Sequence, residues 1–326
     1  MKKITLIVAL VSFAVALGQT TFPPAAGIDG STAISKDSPD FVAWATGITV
    51  TRGHVKKSDP GFMYQGSSYA TVGDPENALG FPNLDIVSLG DEGSAILTFA
   101  SPLNDGEGFD FAVFENGSSN FLELAFVEAS SDGVHFFRFP ATSLTQTDIQ
   151  IGSFGSPVPT NLNNLAGKYT ALFGTPFDIS ELPNDVLLNK NNITYIKVID
   201  VVGSIDPLYA TYDSLGHIVN ESYPTPFNSA GFDLQAVGVI HHSVLGINNP
   251  ESILKVTLYP NPAKGRVFIN GVVGATVSIV DASGRIILQH ARNTNEGIDV
   301  STLSSGVYFT VINSEMGTAT LRLVIQ

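Results

Sequence analysis

Apolar and polar residues alternate with a period of two through most of this chain, and that period restricts its fold more than any other feature. Helical spacing is scarce: only stretches near residues 179–188 and 252–255 could make a turn or two. Strand patterns are everywhere. Residues 94–99 (SAILTF) and 195–202 (YIKVIDVV) read as strands, the second with Lys197 and Asp200 inside it. In residues 109–114 (FDFAVF) the alternation puts Phe109, Phe111 and Val113 on one face. Residues 122–130, 135–139 and 232–240 complete the long strands, and the turn Ser131-Asp132-Gly133 joins two of them. The 31 glycines and 18 prolines are scattered between these runs, where turns need them. Many strands at this spacing predict an all-β protein with a large jelly-roll-like sandwich. Residues 146–188, rich in Gly, Pro and Asn, read as a long loop excursion, and long ordered loops are often functional.

The chain of 326 residues divides into four segments. Residues 1–18 have the character of a signal peptide: Lys2 and Lys3, an apolar run from Ile4 to Leu17, and small residues before Gln19. Residues 19–243 form the large sandwich, 244–253 a polar linker containing Asn248-Asn249-Pro250, and 254–326 a small immunoglobulin-like β-sandwich of six or seven short strands. Charge divides the chain at the same place. Residues 19–253 hold eight basic and twenty-six acidic side chains, whereas 254–326 hold six and four. So acidic a surface disfavours nucleic acid and suits calcium, sugars or cationic ligands. No later segment is long and apolar enough to span a membrane as a helix. There is no cysteine, so neither disulfides nor thiol chemistry contribute.

Three islands near the C-terminus carry a resemblance. They are Leu258-Tyr259-Pro260-Asn261-Pro262, then Val280-Asp281-Ala282-Ser283-Gly284-Arg285, then Leu303-Ser304-Ser305-Gly306-Val307-Tyr308. In order, spacing and position they resemble the type A sorting domain of the type IX secretion system of Bacteroidetes. The resemblance implies passage across the outer membrane through the type IX machinery, and a final location on the surface or outside the cell. The prolines around Asn261 hold an extended turn, and Gly284 and Gly306 sit where turns favour a backbone free of Cβ. The first domain is similar to bacterial surface proteins with a galactose-binding-like jelly roll. Residues 73–80 (GDPENALG), 87–90 (VSLG), 109–117 (FDFAVFENG), 128–133 (EASSDG) and 231–237 (GFDLQAV) carry that likeness. Gln235 stands where that class usually has an acid. Some relatives accompany outer-membrane nutrient uptake, cobalamin uptake included, which hints at a ligand class.

No catalytic motif is present: no G-x-S-x-G, H-E-x-x-H or P-loop occurs. The expected function is non-enzymatic binding of a glycan or small nutrient. The alternatives are an extracellular glycoside hydrolase, using two of Glu115, Glu123 and Glu128, and a structural or adhesive surface protein. The aromatics Trp44, Tyr64, Tyr69 and Tyr223 are candidates to stack on sugar rings. Jelly rolls of this type often hold a structural calcium where an early loop meets the last strand. Asp74, Glu76, Asn77, Asp85 and Asp233 would supply its oxygens. His241-His242 is a poor chelate, because adjacent strand residues face opposite ways. Asp213-Ser214-Leu215 resembles the short O-glycosylation motif of Bacteroidetes.

Overall fold

The computed structural model describes residues 21–242, 256–281, 284–292, 297–314 and 317–326. The expected leader and linker lie outside the described residues. The chain divides into two compact units, one on each side of Ser243 and Val244. Both are all-β, and every paired strand in their sheets is antiparallel.

The first unit is a two-sheet sandwich. One sheet runs Ile34–Ser35, Phe173–Phe177, Phe111–Glu115, Asp233–Val239, Ala43–Trp44, with Val87–Ser88 also pairing to Asp233–Val239. The other runs Gly47–Thr51, Ser94–Leu103, Ile193–Asp200, Ala125–Ser130, Phe137–Arg138. An early strand and the last strand thus lie side by side, since Trp44 pairs with Gly238. Between the sheets pack Leu97, Phe111, Val113, Val127, Ile196 and Val237 among others, all sealed from solvent. Phe111, Phe139 and Phe177 form a mutually packed trio with ring centroids 5.1–5.6 Å apart.

Strict alternation predicts one wet face for residues 109–114, and the structure departs from it. Phe109 is outside the strand and 37% exposed, while every residue of Phe111–Glu115 is buried. The outer face is covered because Phe41 and Trp44 pack on Phe114 at 5.6 Å. Among the described residues helix is confined to short 3-10 turns, and Ile179–Glu181 falls in the first stretch read as helical; residues 252–255 lie outside the described residues. Inside the second sheet, Glu128 pairs with Arg138 at 2.9 Å and lies 3.9 Å from Lys197. Its carboxylate is thereby tied to two cations of neighbouring strands.

The second unit is a smaller sandwich. Thr257–Tyr259, Arg266–Asn270 and Ile298–Asp299 make one sheet; Ile286–Arg292, Thr276–Asp281, Gly306–Ser314 and Gly317–Ile325 make the other. Val267, Val277, Ile279, Ile312 and Leu323 fill its core. Its seven strands fall within the six or seven read from the even spacing.

Candidate functional site

The three C-terminal islands have distinct structural tasks. Asn261 clamps the last strand at both ends of its amide: Nδ2 donates to the Arg322 carbonyl at 2.6 Å, and Oδ1 accepts from the Val324 amide at 2.8 Å. Tyr259 stacks on Phe268 with centroids 5.7 Å apart. In the second island Asp281 closes a turn, taking the Arg285 amide and side chain at 3.1 Å each. Gly284 has φ +82°, so glycine is required there. Gly306 differs from expectation: its φ is ordinary, and an added Cβ would meet only Tyr308 and Ser304 at 3.7 Å or more. Tyr308 donates its hydroxyl to the Ser304 carbonyl at 2.9 Å, pinning the start of its strand.

In the first unit the loops at one end bring four rings into a row. Tyr64 meets Phe227 edge-on at 5.9 Å, Phe227 stacks on Phe154 at 5.6 Å, and Phe154 reaches Phe121 at 6.5 Å. Phe154 is 76% exposed, and the other three are partly buried. Four loops supply these rings, and hydrogen bonds tie those of Tyr64, Phe154 and Phe227 together. The Thr71 amide donates to the Asn228 carbonyl at 2.8 Å, and Tyr223 N to the Ile151 carbonyl at 3.0 Å. Ser153 and Ser222 hydroxyls donate to the carbonyls of Pro224 and Gly155 at 2.6 and 2.7 Å. The row is therefore held before any ligand arrives, which lowers the ordering cost of binding.

The four candidate aromatics part company. Tyr64 belongs to the row. Tyr223 is buried, and its hydroxyl accepts from the Ser58 amide at 3.0 Å, so it braces the loop that carries Tyr64. Tyr69 is 48% exposed and stacks on His54 at 4.5 Å. Trp44 packs with Phe41, Phe81 and Phe114 on the outer face of the first sheet. Sequence reasoning missed Phe121, Phe154 and Phe227. The one available signal was Phe154 in a Gly-Ser-Phe-Gly-Ser-Pro stretch, where a large apolar residue has no strand to fill.

Beside these loops the sandwich buries an unusual set of carboxylates: Asp91, Glu115, Glu123, Asp200 and Glu221, with Asp233 adjoining. Burial is the main cause that drives every one of them above the usual carboxylate range, and repulsion from neighbouring acids adds to it for all except Asp233, for Asp91 from Glu92. Asp91 is pushed up to about 6 and Asp233 to about 7. Some of these groups serve the backbone. Asp200 accepts from the Phe232 amide at 2.7 Å and the Glu92 amide at 3.0 Å; Glu221 accepts from Leu124 N at 2.6 Å, and Asp91 from Lys57 N at 2.6 Å. Glu115 Oε2 has no partner.

Of the expected calcium ligands, Asp74, Glu76 and Asp85 are exposed, Asn77 donates to the Ile86 carbonyl at 2.9 Å, and Asp233 accepts from the Ser88 hydroxyl. Asp74 and Asp233 both act on the guanidinium of Arg52, which donates to the carbonyls of Val72, Gly73 and Ser88. Early loop and last strand do converge, and a cation of the chain itself joins them. Replacing Arg52 by Ala takes a donor from three carbonyls, of which that of Val72 keeps the Ser88 amide at 3.1 Å. It is expected to cost about 2–3 kcal/mol in a urea melt; a loss below about 0.5 kcal/mol would show the carbonyls to be satisfied by water.

Two other features lie elsewhere in the first unit. A cleft of about 460 Å³ is lined by Ser143, Thr145, Tyr212 and His217, with His217 Nδ1 3.1 Å from the buried Asp213. Asp105, Asp110 and Asp178 bring carboxylate oxygens within 4.8 Å of one another, but Asp110 already accepts from Gly106 N, Ile179 N and His241.

Residues 257–326 match the family described as the secretion system C-terminal sorting domain. No curated protein matches the chain. Among solved structures, the glycoside hydrolase domain of Endo-D from Streptococcus pneumoniae is similar at 13% identity and a TM-score of 0.21. The alignment covers 86% of this chain and 37% of that one, and at so low a score it carries no argument. The sorting domain is decisive for destination: the chain is a type IX secretion substrate, delivered to the cell surface or beyond. Among the described residues no helix is long and apolar enough to cross a membrane.

Proposed function

We propose that the exported chain is a glycan-binding protein, and that its first unit stacks sugar rings on the row Tyr64–Phe227–Phe154–Phe121. The row itself is the observation that carries this reading. An exposed Phe in contact with rings from two other loops does nothing for the core, whereas exposed aromatic surface suits the apolar faces of pyranose rings. Acidic, partly apolar loops at the end of a sandwich delivered outside the cell fit a polysaccharide ligand of the cell's surroundings. The carboxylates that a hydrolase would employ support binding over cleavage. Glu115 and Glu123 are 2% and 3% exposed, and Glu128 is held by Arg138. A glycosidase needs both acids open to the scissile bond.

The test is a screen of the purified chain against immobilised polysaccharides, with cobalamin included as the small-nutrient alternative. Phe154→Ala and Phe227→Ala are expected to weaken glycan binding about tenfold each, or roughly 1.4 kcal/mol, with unchanged melting. Val186→Ala, at a fully exposed position away from the row, should change nothing. Retention of full affinity by both Phe variants would refute the reading.

A further inference from the structure

The cleft beside His217 is walled by two segments 70 residues apart in the chain. One wall is a short hairpin. Val219 N donates to the Thr211 carbonyl and Asp213 N to the His217 carbonyl, both at 2.9 Å, and Gly216 at φ +84° turns the chain between them. The other wall continues from the strand Thr142–Ser143, which pairs with Leu162–Asn163. Asp213 joins the walls, and its side chain is 0% exposed. Its Oδ1 accepts from the amides of Leu215 and His217, and its Oδ2 from the amide of Ser143, all at 2.8 Å. Ser214 N adds a bond to the Ala141 carbonyl at 3.1 Å. The walls are thus fixed before a ligand enters, which lowers the ordering cost of binding.

Two polar groups of the lining have capacity to spare. Backbone amides alone would hold the turn, yet Asp213 Oδ2 also takes His217 Nδ1 at 3.1 Å, and that imidazole is 49% exposed. The bond assigns the proton to Nδ1 and leaves Nε2 as an acceptor, without a partner among the described residues. Ser143 Oγ and Thr145 Oγ1 lie 2.7 Å apart and so share one hydrogen bond. Their other bonds are accepted ones, from Thr145 N at 3.3 Å and Asn220 N at 3.0 Å. Two hydroxyl hydrogens therefore serve one bond, and the second has no acceptor among the described residues. Around this acceptor and donor stand the half-exposed ring of Tyr212 and the apolar side chains of Leu144 and Ile218.

We propose that this cleft is a second carbohydrate site, which takes a single neutral sugar unit. Sugar hydroxyls both donate and accept, so one suits His217 Nε2 and another the Ser143–Thr145 pair, while the apolar face of the ring rests on Tyr212. The volume of about 460 Å³ lies in the range of small-ligand pockets. Neither Lys nor Arg lines the cleft, and the one carboxylate behind it is fully engaged, so neither an acidic sugar nor a cation is favoured. The site shares no residue with the aromatic row and stands without it.

The experiment titrates the full chain with the methyl glycosides of glucose, galactose, mannose and N-acetylglucosamine, following the imidazole nitrogen resonances by NMR. At least one glycoside is expected to bind with a dissociation constant of about 1 mM and to shift the His217 Nε2 resonance, which His217→Gln assigns. His217→Gln and Tyr212→Ala should each weaken that binding about tenfold, with melting unchanged. Tyr212→Ala and the resonance shift in the unaltered chain keep the test decisive should His217→Gln fold poorly. Phe154→Ala should leave the titration as it was, whatever becomes of polysaccharide binding at the row. No shift with any of the glycosides overturns the proposal. So does binding that is lost in Phe154→Ala and kept in His217→Gln, which would place the sugar on the row instead.

Discussion

A chain ending at residue 243 is expected to fold and to stay in the periplasm of its native host. The first unit needs nothing from the second for its core, because its buried clusters are drawn wholly from residues 45–239. The second unit has its own core and carries the whole match to the sorting family. Its removal should therefore leave melting of the first unit unchanged and reduce the surface and medium fractions to background. A point variant separates recognition from mere presence. Asn261→Ala breaks two hydrogen bonds to the final strand, including the amide of Val324. Each such bond contributes about 1 kcal/mol, and a small sandwich has little stability to spare. Reduced display of this variant, measured by protease shaving of intact cells, is the expected result. Undiminished display of the truncated chain would show that the export signal lies elsewhere.

Asp110→Ala is expected to be the most damaging single substitution in the first unit, costing about 3–5 kcal/mol and lowering the melting temperature by about 10 °C. The Asp110 carboxylate is fully buried and joins three segments distant in sequence. Oδ1 accepts from the Gly106 amide at 2.7 Å and lies 2.8 Å from His241 Nδ1, and Oδ2 accepts from the Ile179 amide at 2.7 Å. Its own carbonyl receives the amides of Ile240 and His241. Truncation strands the buried Ile179 amide and the half-buried Gly106 amide, and leaves a cavity. Asp110→Asn should recover only part of the loss, since its NH2 faces a donor. Urea melts at constant m-value measure this, and a cost below about 1 kcal/mol for Asp110→Ala would show that the three segments are held by packing alone.

The buried histidine partner and the ring row illustrate why some of this was readable and some was not. His241 reads as a poor chelate, since an adjacent pair cannot aim at one ion; its partner, Asp110, is 131 residues away. Phe121, Phe154 and Phe227 carry no local signal, because each lies in a loop whose conformation depends on the other loops. The same holds for Arg52, which carries no local signal and lies among three carbonyls. Burial of both faces of Phe111–Glu115 was hidden because alternation says which residues share a face, never what lies against it.

The sequence by itself determined the all-β class, the division into a large acidic unit and a small sorting unit, and the export destination. These rest on short-range facts: a period of two, glycine and proline at turns, and motifs whose groups bond within five residues, as Asp281 does with Arg285 and Tyr308 with Ser304. Only the tertiary structure decided which aromatics form a surface and which acids are buried. Those outcomes depend on contacts between segments tens to hundreds of residues apart, and chain folding sets such contacts through packing of whole sheets, which no local pattern encodes.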